Sequence, residues 1–187
     1  MRHRHRNSTP HLQVGQAITF RPIHPQDEAF LCELYMSTRM DELAVLNWDT
    51  ATKQAFLTMQ FTAQHQYYQR YFPDAAFDLI LQHGHPIGRL YVDRRVNEIR
   101  LIDIALLPAH RNSGTGTALL NALLVEAAGV QKPVRIHVEK FNPAQRLYQR
   151  LGFTIIDDVG VYFLMEWSPE SGCKQPQKDH DYANTAS

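Results

Sequence analysis

The chain has 187 residues, and its 19 Lys and Arg balance its 19 Asp and Glu, so the formal net charge at pH 7 is zero. That length suffices for one domain with a sizeable core. The neutral balance argues against electrostatic capture of nucleic acid or of an anionic membrane, and no apolar run approaches the roughly 20 residues of a membrane span.

The ends of the chain differ in composition from its middle. We expect residues 1–16 to form a disordered arm, 17–167 to form one domain, and 168–187 to form a disordered tail. The basic start, Met1 to Arg6, is followed by no apolar segment and does not resemble a signal peptide. Cys32 and Cys173 give no metal or disulfide spacing. These features favour a cytoplasmic protein without a metal.

The first half of the domain predicts strands and helices in alternation. Strands are expected at 17–21, 77–81, 86–92 and 99–107, and helices at 25–38 and 50–71. Residues 40–48 form a connection of uncertain structure. Pro25 suits the first turn of its helix, and Pro108 closes the strand at 99–107 because it cannot donate to a ladder.

The second half predicts a parallel crossover. The leucines of 118–129 recur at helical spacing and Gly129 suits a C-cap, while Asn142 and Pro143 suit the start of a helix that Gly152 ends. Strands are expected at 134–138 and 161–167. Helices between strands within 113–151 require a parallel pair in an otherwise antiparallel sheet, so the predicted fold class is mixed α/β.

A glycine-rich run, Arg111 to Thr117, lies between the strand at 99–107 and the following helix. The free N–H groups at the start of that helix, with its dipole, favour an anion. Gly114 and Gly116 present no side chain to an approaching phosphate, and Arg111 adds positive charge. Leu119 stands where a dinucleotide motif needs glycine, and no Gly-Lys-Ser/Thr follows as in a Walker loop. An ordinary tight turn is the alternative.

Two motifs together resemble the GNAT N-acetyltransferases. The first is Arg-x-x-Gly-x-Gly at 111–116, and the second is Asn142 followed by Ala-x-x-Leu-Tyr-x-x-x-Gly-Phe at 144–153. The resemblance extends over most of 17–167, from the opening strand to the closing one. It implies the acyl-CoA N-acyltransferase fold, acetyl-CoA as cosubstrate, and direct acetyl transfer to a primary amine of a small molecule or peptide.

The resemblance also implies which residues bind the cosubstrate. The pyrophosphate would contact the loop, namely Arg111, Asn112, Ser113, Gly114, Thr115, Gly116 and Thr117. The pantetheine arm would pair with the backbone of Ile104, Ala105 and Leu106, and a backbone N–H there would serve the oxyanion. Asn142 matches the asparagine that faces pantetheine, although its spacing to Ala144 is one residue shorter than in many members.

Tyr148 matches the family's general acid, which would protonate the departing thiolate. A tyrosine of pKa about 10 donates to a thiolate of pKa about 8.5 only modestly uphill. A buried core tyrosine is the alternative interpretation, since Tyr148 shares a helix face with Leu147 and Leu151.

The general base is less well defined. Ile102 stands where polyamine and histone acetyltransferases of the family carry a glutamate. Glu98 shares a strand face with Ile102 by period two and is one possible base near the mouth of the site, whereas Asp103 points the other way. His137 is the other, because histidine titrates near neutral pH. A water relay to a distant carboxylate, or a structural His137, are alternatives.

We expect the acceptor to lie among 38–50, 50–71 and the hairpin at 157–160. Four acidic residues could either recruit a cationic amine or be ordinary surface charges: Asp41, Glu42, Asp157 and Asp158. Four aromatic residues could either line a pocket or belong to the core: Trp48, Tyr67, Tyr68 and Tyr71. A catalytically silent acyl-CoA sensor and the use of another acyl-CoA remain alternatives. The apolar strand 162–165 is either core or the interface of a homodimer.

Overall fold

The computed structural model describes residues 18–169; the predicted arm and tail lie outside them, apart from Ser168 and Pro169. The strands are β1 Ile18–Pro22, β2 Ala76–Gln82, β3 His85–Arg94, β4 Ile99–Leu106, β5 Val134–Glu139, β6 Thr154–Val159 and β7 Tyr162–Trp167. The helices are α1 Glu28–Arg39, α2 Thr50–Tyr71, α3 Thr115–Gly129 and α4 Gln145–Arg150. One-turn 3₁₀ segments lie at Pro25–Asp27, Met40–Leu43 and Pro108–His110.

The strands form one seven-stranded sheet in the order β1-β2-β3-β4-β5-β7-β6. Every pairing is antiparallel except that of β4 with β5, which is parallel and is connected through α3. The predicted mixed α/β class with a single parallel crossover is therefore confirmed.

Two apolar clusters cover the two faces of the sheet. The larger lies under α3 and α4 and includes Leu119, Leu123 and Tyr148. The smaller packs α1 and α2 on the opposite face, with Leu57 and Phe61 at its centre. Burying a leucine or phenylalanine side chain stabilises the fold by about 1.5–3 kcal/mol. The two clusters therefore hold the helices against both faces of the sheet.

Two helix boundaries differ from the sequence expectation. The helix α3 runs through Gly129, and the left-handed residue that follows it is Gln131, at φ 52°. Regular helix α4 begins at Gln145, because Asn142 first closes a turn in which its Oδ1 accepts from the Ala144 N–H at 2.9 Å. Gly152, at φ 91°, ends this helix as predicted.

A bulge in β4 changes which residues share a face. Tyr91 pairs with Asp103 and Val92 pairs with Leu101, which leaves Ile102 without a partner on β3. One extra residue shifts the alternation of the strand that follows it. Asp103 therefore lies on the same face as Arg100, the face covered by α1 and α2, and the expectation that it points the other way is wrong.

Candidate active site

The parallel pairing of β4 with β5 is short. It joins only Ile99 to Val134 and Arg100 to Arg135, and the Ile99 N–H donates to the Pro133 carbonyl at 2.9 Å. Beyond Arg100 the edge of β4 that faces β5 has no strand partner among residues 18–169. This gap presents backbone groups of Ile104, Ala105 and Leu106, the residues predicted to pair with an extended ligand arm.

The glycine loop lies at the open end of this gap. Asn112 and Gly114 are left-handed, at φ 56° and 85°, and α3 begins directly after them. The first helical bond runs from the Ala118 N–H to the Gly114 carbonyl. Within the described part of the chain, the N–H groups of residues 112–117 have no hydrogen-bond partner.

These N–H groups fit a pyrophosphate. Left-handed turns that converge several N–H groups at a helix N-terminus form an anion-binding concavity. A Cβ placed on Gly116 would meet only Cδ1 of Leu106, at 3.9 Å, so the fold itself does not require glycine there. A close ligand is a physical reason for the residue.

Arg111 is engaged within the protein. Its Nε donates to the Leu106 carbonyl at 2.8 Å, and its Nη2 donates to the Ser37 carbonyl at 3.2 Å and to the Ser37 Oγ at 3.0 Å. The guanidinium therefore joins the end of β4 to the last turns of α1. These contacts hold the positive charge of Arg111 next to the loop.

Tyr148 lies in the apolar cluster beside the gap. Its ring is buried and meets Phe153 edge to face, with centroids 5.6 Å apart. Burial, and then the charge of Asp103, raise the pKa of the phenol above its usual value. Among residues 18–169 nothing hydrogen-bonds its hydroxyl, so the phenol remains available as a proton donor.

A cleft of about 280 Å³ opens on the α1/α2 face of the sheet, and we call it the acceptor cleft. It is lined by residues from α1, the adjoining 3₁₀ turn, α2, β5 and β7: Tyr35, Arg39, Glu42, Leu43, Phe56, Leu57, Gln60, Gln64, Glu139 and Tyr162. Its position agrees with the acceptor walls expected from 38–50 and 50–71.

A bidentate ion pair crosses the cleft. Arg39 donates to the two carboxylate oxygens of Glu139 at 2.6 and 2.9 Å, and this pairing raises the pKa of the arginine. The same Nη1 also reaches Glu42 at 3.2 Å. The pair ties α1 to the end of β5, as Arg111 ties α1 to the end of β4.

Comparisons with known proteins agree on one family. Residues 74–155 match the family model described as an acetyltransferase (GNAT) domain. This segment of the chain is similar to the GNAT acetyltransferase domain. The matched segment contains both sequence motifs, the glycine loop and the Tyr148 helix.

Solved structures show the same fold beyond the matched segment. PaiA N-acetyltransferase from Thermoplasma acidophilum, in complex with coenzyme A, is 18% identical, with 82% of this chain and 99% of that one covered at a TM-score of 0.61. Histone acetyltransferase HPA2 and related acetyltransferase from Corynebacterium glutamicum is 21% identical, covering 82% and 97%, at 0.56. An acetyltransferase from Thermus thermophilus is 18% identical, covering 84% and 97%, at 0.58. Identities this low establish the GNAT fold and nothing finer.

The two candidate bases, Glu98 and His137, lie in different surroundings. Glu98 is buried and accepts from Arg95, Arg100 and Arg135 at 3.0–3.1 Å. Burial opposes its charge, but Arg100 and the other arginines outweigh this and hold its pKa below the usual value. It precedes Ile99, at the closed end of the gap, so its expected place near the mouth is wrong.

His137 is exposed on β5, on the strand that borders the gap. Burial of part of the ring, and then the charge of Arg100, lower its pKa below 6.5. Arg100 Nη1 lies 3.2 Å from its Nδ1. Because arginine only donates, Nδ1 is the acceptor in that contact and the neutral ring carries its proton on Nε2.

The remaining predicted acceptor groups are distributed differently. Glu42 lines the cleft, Asp158 pairs with Lys140 at 2.6 Å, and Asp41 and Asp157 are not in the lining. Of the aromatic residues, Trp48 packs edge to face on Phe56, while Tyr67 and Tyr71 are exposed and stack on each other. Tyr68 packs under α2 against Tyr91, with its hydroxyl 3.4 Å from Asp103.

Several cleft residues were missed by the sequence reasoning. Glu139 had a signal, because it lies two positions after His137 and so shares its strand face. Tyr35, Arg39, Gln60 and Gln64 had none, since a helix residue that lines a cleft has the same local pattern as one that faces solvent. Within residues 18–169 there is no cluster of three or more metal-ligating side chains and no helix able to span a membrane.

Proposed function

We propose that the chain is an acetyl-CoA-dependent N-acetyltransferase that acts on a primary amine of a small molecule or peptide. The observation that carries the proposal is the row of N–H groups at 112–117, which have no partner among residues 18–169 and lie beside the unpaired edge of β4. A loop of this kind at the N-terminus of α3 suits a pyrophosphate, and the open strand edge suits a pantetheine amide arm.

Each predicted binding residue has a role in this proposal. The N–H groups of Asn112 to Thr117 hold the pyrophosphate, and Arg111 keeps a positive charge beside it. Backbone groups of Ile104, Ala105 and Leu106 orient the arm. Asn142 already accepts through Oδ1, so its amide N–H₂ is the part that faces the arm.

Bound acetyl-CoA supplies a thioester, whose acetyl group passes to the acceptor nitrogen as a C–N bond forms and the C–S bond breaks. Tyr148 holds a proton at its phenol oxygen and donates it to the departing sulfur. Burial raises the pKa of that phenol, but the same surroundings also disfavour a thiolate, so the transfer remains feasible. A backbone N–H of Ile104 to Leu106 stabilises the oxyanion.

The acceptor nitrogen is an ammonium at neutral pH and loses two protons on becoming an amide. We assign the first, which leaves before the nitrogen attacks, to His137, and the second replaces the proton that Tyr148 gives to the sulfur. The low pKa of His137 keeps its ring neutral at pH 7, as a base requires. The Nδ1 lone pair points at Arg100, so proton uptake there requires that contact to open. A water relay is the competing route.

Ligand-induced thermal shift tests the cofactor half of the proposal. Acetyl-CoA and CoA should raise the Tm, because binding to the folded state stabilises it by about 2.7 kcal/mol at a hundredfold excess over Kd, whereas NADH should not. The shift should be lost in Gly114→Glu/Gly116→Glu. Gly129→Glu, at a glycine with open space around it, is the matched control and should keep the shift.

Release of free thiol from acetyl-CoA with a panel of amines tests the catalytic half. Amine-dependent release in the wild type, lost in the double variant, is the expected result. No shift with either CoA species would overturn the whole proposal.

A catalytically silent acyl-CoA sensor is the second candidate. It is favoured by Ile102, an apolar residue at the bulge where related enzymes carry a glutamate. CoA binding without thiol release for any amine would support the sensor, and a longer acyl-CoA that outperforms acetyl-CoA would revise the donor.

A further inference from the structure

The acceptor cleft has an unbalanced charge. Its ionised side chains are Arg39, Glu42 and Glu139, and Arg39 is already matched by both oxygens of Glu139. The second carboxylate, Glu42, is held only by Nη1 contacts of 3.2 and 3.3 Å, and 57% of its side chain is exposed. Among residues 18–169, the lining of the cleft therefore offers one carboxylate with free acceptor capacity and no unpaired cation.

The uncharged part of the lining suits an aliphatic chain. Leu43, Phe56 and Leu57 give apolar contact surface, and the rings of Tyr35 and Tyr162 flank it. The two carboxamides have their oxygens occupied, since Gln60 accepts from the Tyr35 hydroxyl at 3.3 Å and Gln64 accepts from Arg89 at 3.0 Å. Their N–H₂ groups do not attract a cation, so Glu42 is the group left to bind one.

The position of the cleft relates it to the reaction. Glu139 lies on β5, the strand that borders the gap, and Arg39 adjoins the α1 turn that Arg111 holds against the end of β4. The lining includes Glu139, at the end of β5, and Glu42, on the 3₁₀ turn, and Nη1 of Arg39 contacts both carboxylates, at 2.9 and 3.2 Å. A carboxylate with free acceptor capacity therefore lies close to the strand that borders the gap.

We propose that the acceptor cleft selects a small aliphatic diamine, whose reacting nitrogen faces the gap while Glu42 binds its second, non-reacting ammonium. This inference rests on the proposed function. A cavity of about 280 Å³ is at the small end of ligand pockets, which favours a short alkyl chain over a bulky acceptor. Glu42 is thereby a specificity-determining residue of the acceptor site.

Three amines of equal chain length test the charge preference: pentylamine, 1,5-diaminopentane and 5-aminopentanoate. We expect kcat/KM to be highest for the diamine, lower for the monoamine and lowest for the amino acid. The diamine should exceed the monoamine by about fivefold, because an ion pair that is partly exposed to solvent contributes no more than that. Glu42→Gln should reduce the diamine-to-monoamine ratio to about one. Glu33→Gln, an exposed glutamate of α1 outside the lining, should keep the wild-type ratio.

Binding of 1,5-diaminopentane to the CoA complex, measured by calorimetry, separates this inference from the proposed function. If the diamine binds in a way that depends on Glu42 but no thiol is released, the cleft assignment stands and the proposed enzymatic activity is overturned. Thiol release with equal efficiency for monoamine and diamine would keep the enzyme and overturn the cleft assignment. A preference for 5-aminopentanoate would overturn it in favour of Arg39, and a lysine peptide that outperforms all three amines would overturn the small-molecule acceptor.

Discussion

The proposed cofactor side and the proposed acceptor side of this protein are built in different ways. The cofactor side is a nearly continuous segment, from Ile104 to Thr117, that offers backbone groups. The acceptor cleft draws its lining from two helices, a 3₁₀ turn and two strands, and it offers side chains. All of that lining except Glu139 lies outside the segment 74–155 that matches the GNAT domain.

This difference has a physical consequence. A backbone anion site depends on conformation, so it persists when most side chains around it change. A cleft bounded by Arg39, Glu42 and Glu139 changes its selectivity with each substitution. The fold therefore indicates the cosubstrate more directly than the acceptor.

The largest effect on the cofactor side is expected at Gly88, which pairs with Leu106. A Cβ there would overlap the Ala105 carbonyl oxygen and lie 2.8 Å from Cδ2 of Leu106. Gly88→Ala should lower the free energy of unfolding by about 3 kcal/mol, because the contact is with backbone that cannot move cheaply. Urea denaturation measures it. Gly129→Ala, with open space, should be neutral or slightly stabilising, and equal stability of the two variants would contradict the expectation.

Tyr148→Phe should act on chemistry and leave the fold intact. We expect kcat to fall about 100-fold, the lower range for a general acid, while the Tm changes little because the hydroxyl has no hydrogen-bond partner among residues 18–169. Steady-state kinetics and a melting curve check both. A variant with unchanged kcat would show that Tyr148 serves only in packing.

The sequence and the structure agree where the determinants are local. The leucine spacing of 118–129 predicted α3, and the apolar runs predicted the strands. The glycine-rich run predicted a tight turn between β4 and α3 with free N–H groups. The expectation that Gly129 caps this helix was wrong, because α3 includes Gly129 and the left-handed residue that follows the helix is Gln131.

The disagreements arise where distant residues decide. The bulge at Ile102 depends on the register of β3, so the strand pattern alone placed Asp103 on the wrong face. Arg111 begins the loop, yet its Nη2 donates to Ser37, 74 residues earlier. The ion pair of Arg39 with Glu139 joins residues 100 apart in sequence, and no local signal reports such a contact.

Arg111→Gln tests whether the two sides are connected. The guanidinium holds α1 to the end of β4. Its loss should therefore raise the Kd for CoA and the KM for the amine, each by about fivefold, which is the effect expected from losing a few partly exposed hydrogen bonds. Arg70→Gln, on the exposed end of α2, should change neither. An effect on CoA alone would mean that Arg111 acts only as a charge at the pyrophosphate.

The smallest effect concerns the proton path through His137. Burial, then Arg100, lower its pKa below 6.5, so kcat/KM should hold at neutral pH and fall only as the pH drops below that value and the ring protonates. Arg100→Gln removes one of those causes, so the acid limb should move to higher pH. The free energy of unfolding should also fall as the pH drops through 6.5. The reason is that the histidine is protonated at a higher pH in the unfolded chain than in the folded one, so acid stabilises the unfolded chain first. Removing the ring in His137→Gln should abolish the limb, and a limb that survives in that variant would assign the proton to a water relay.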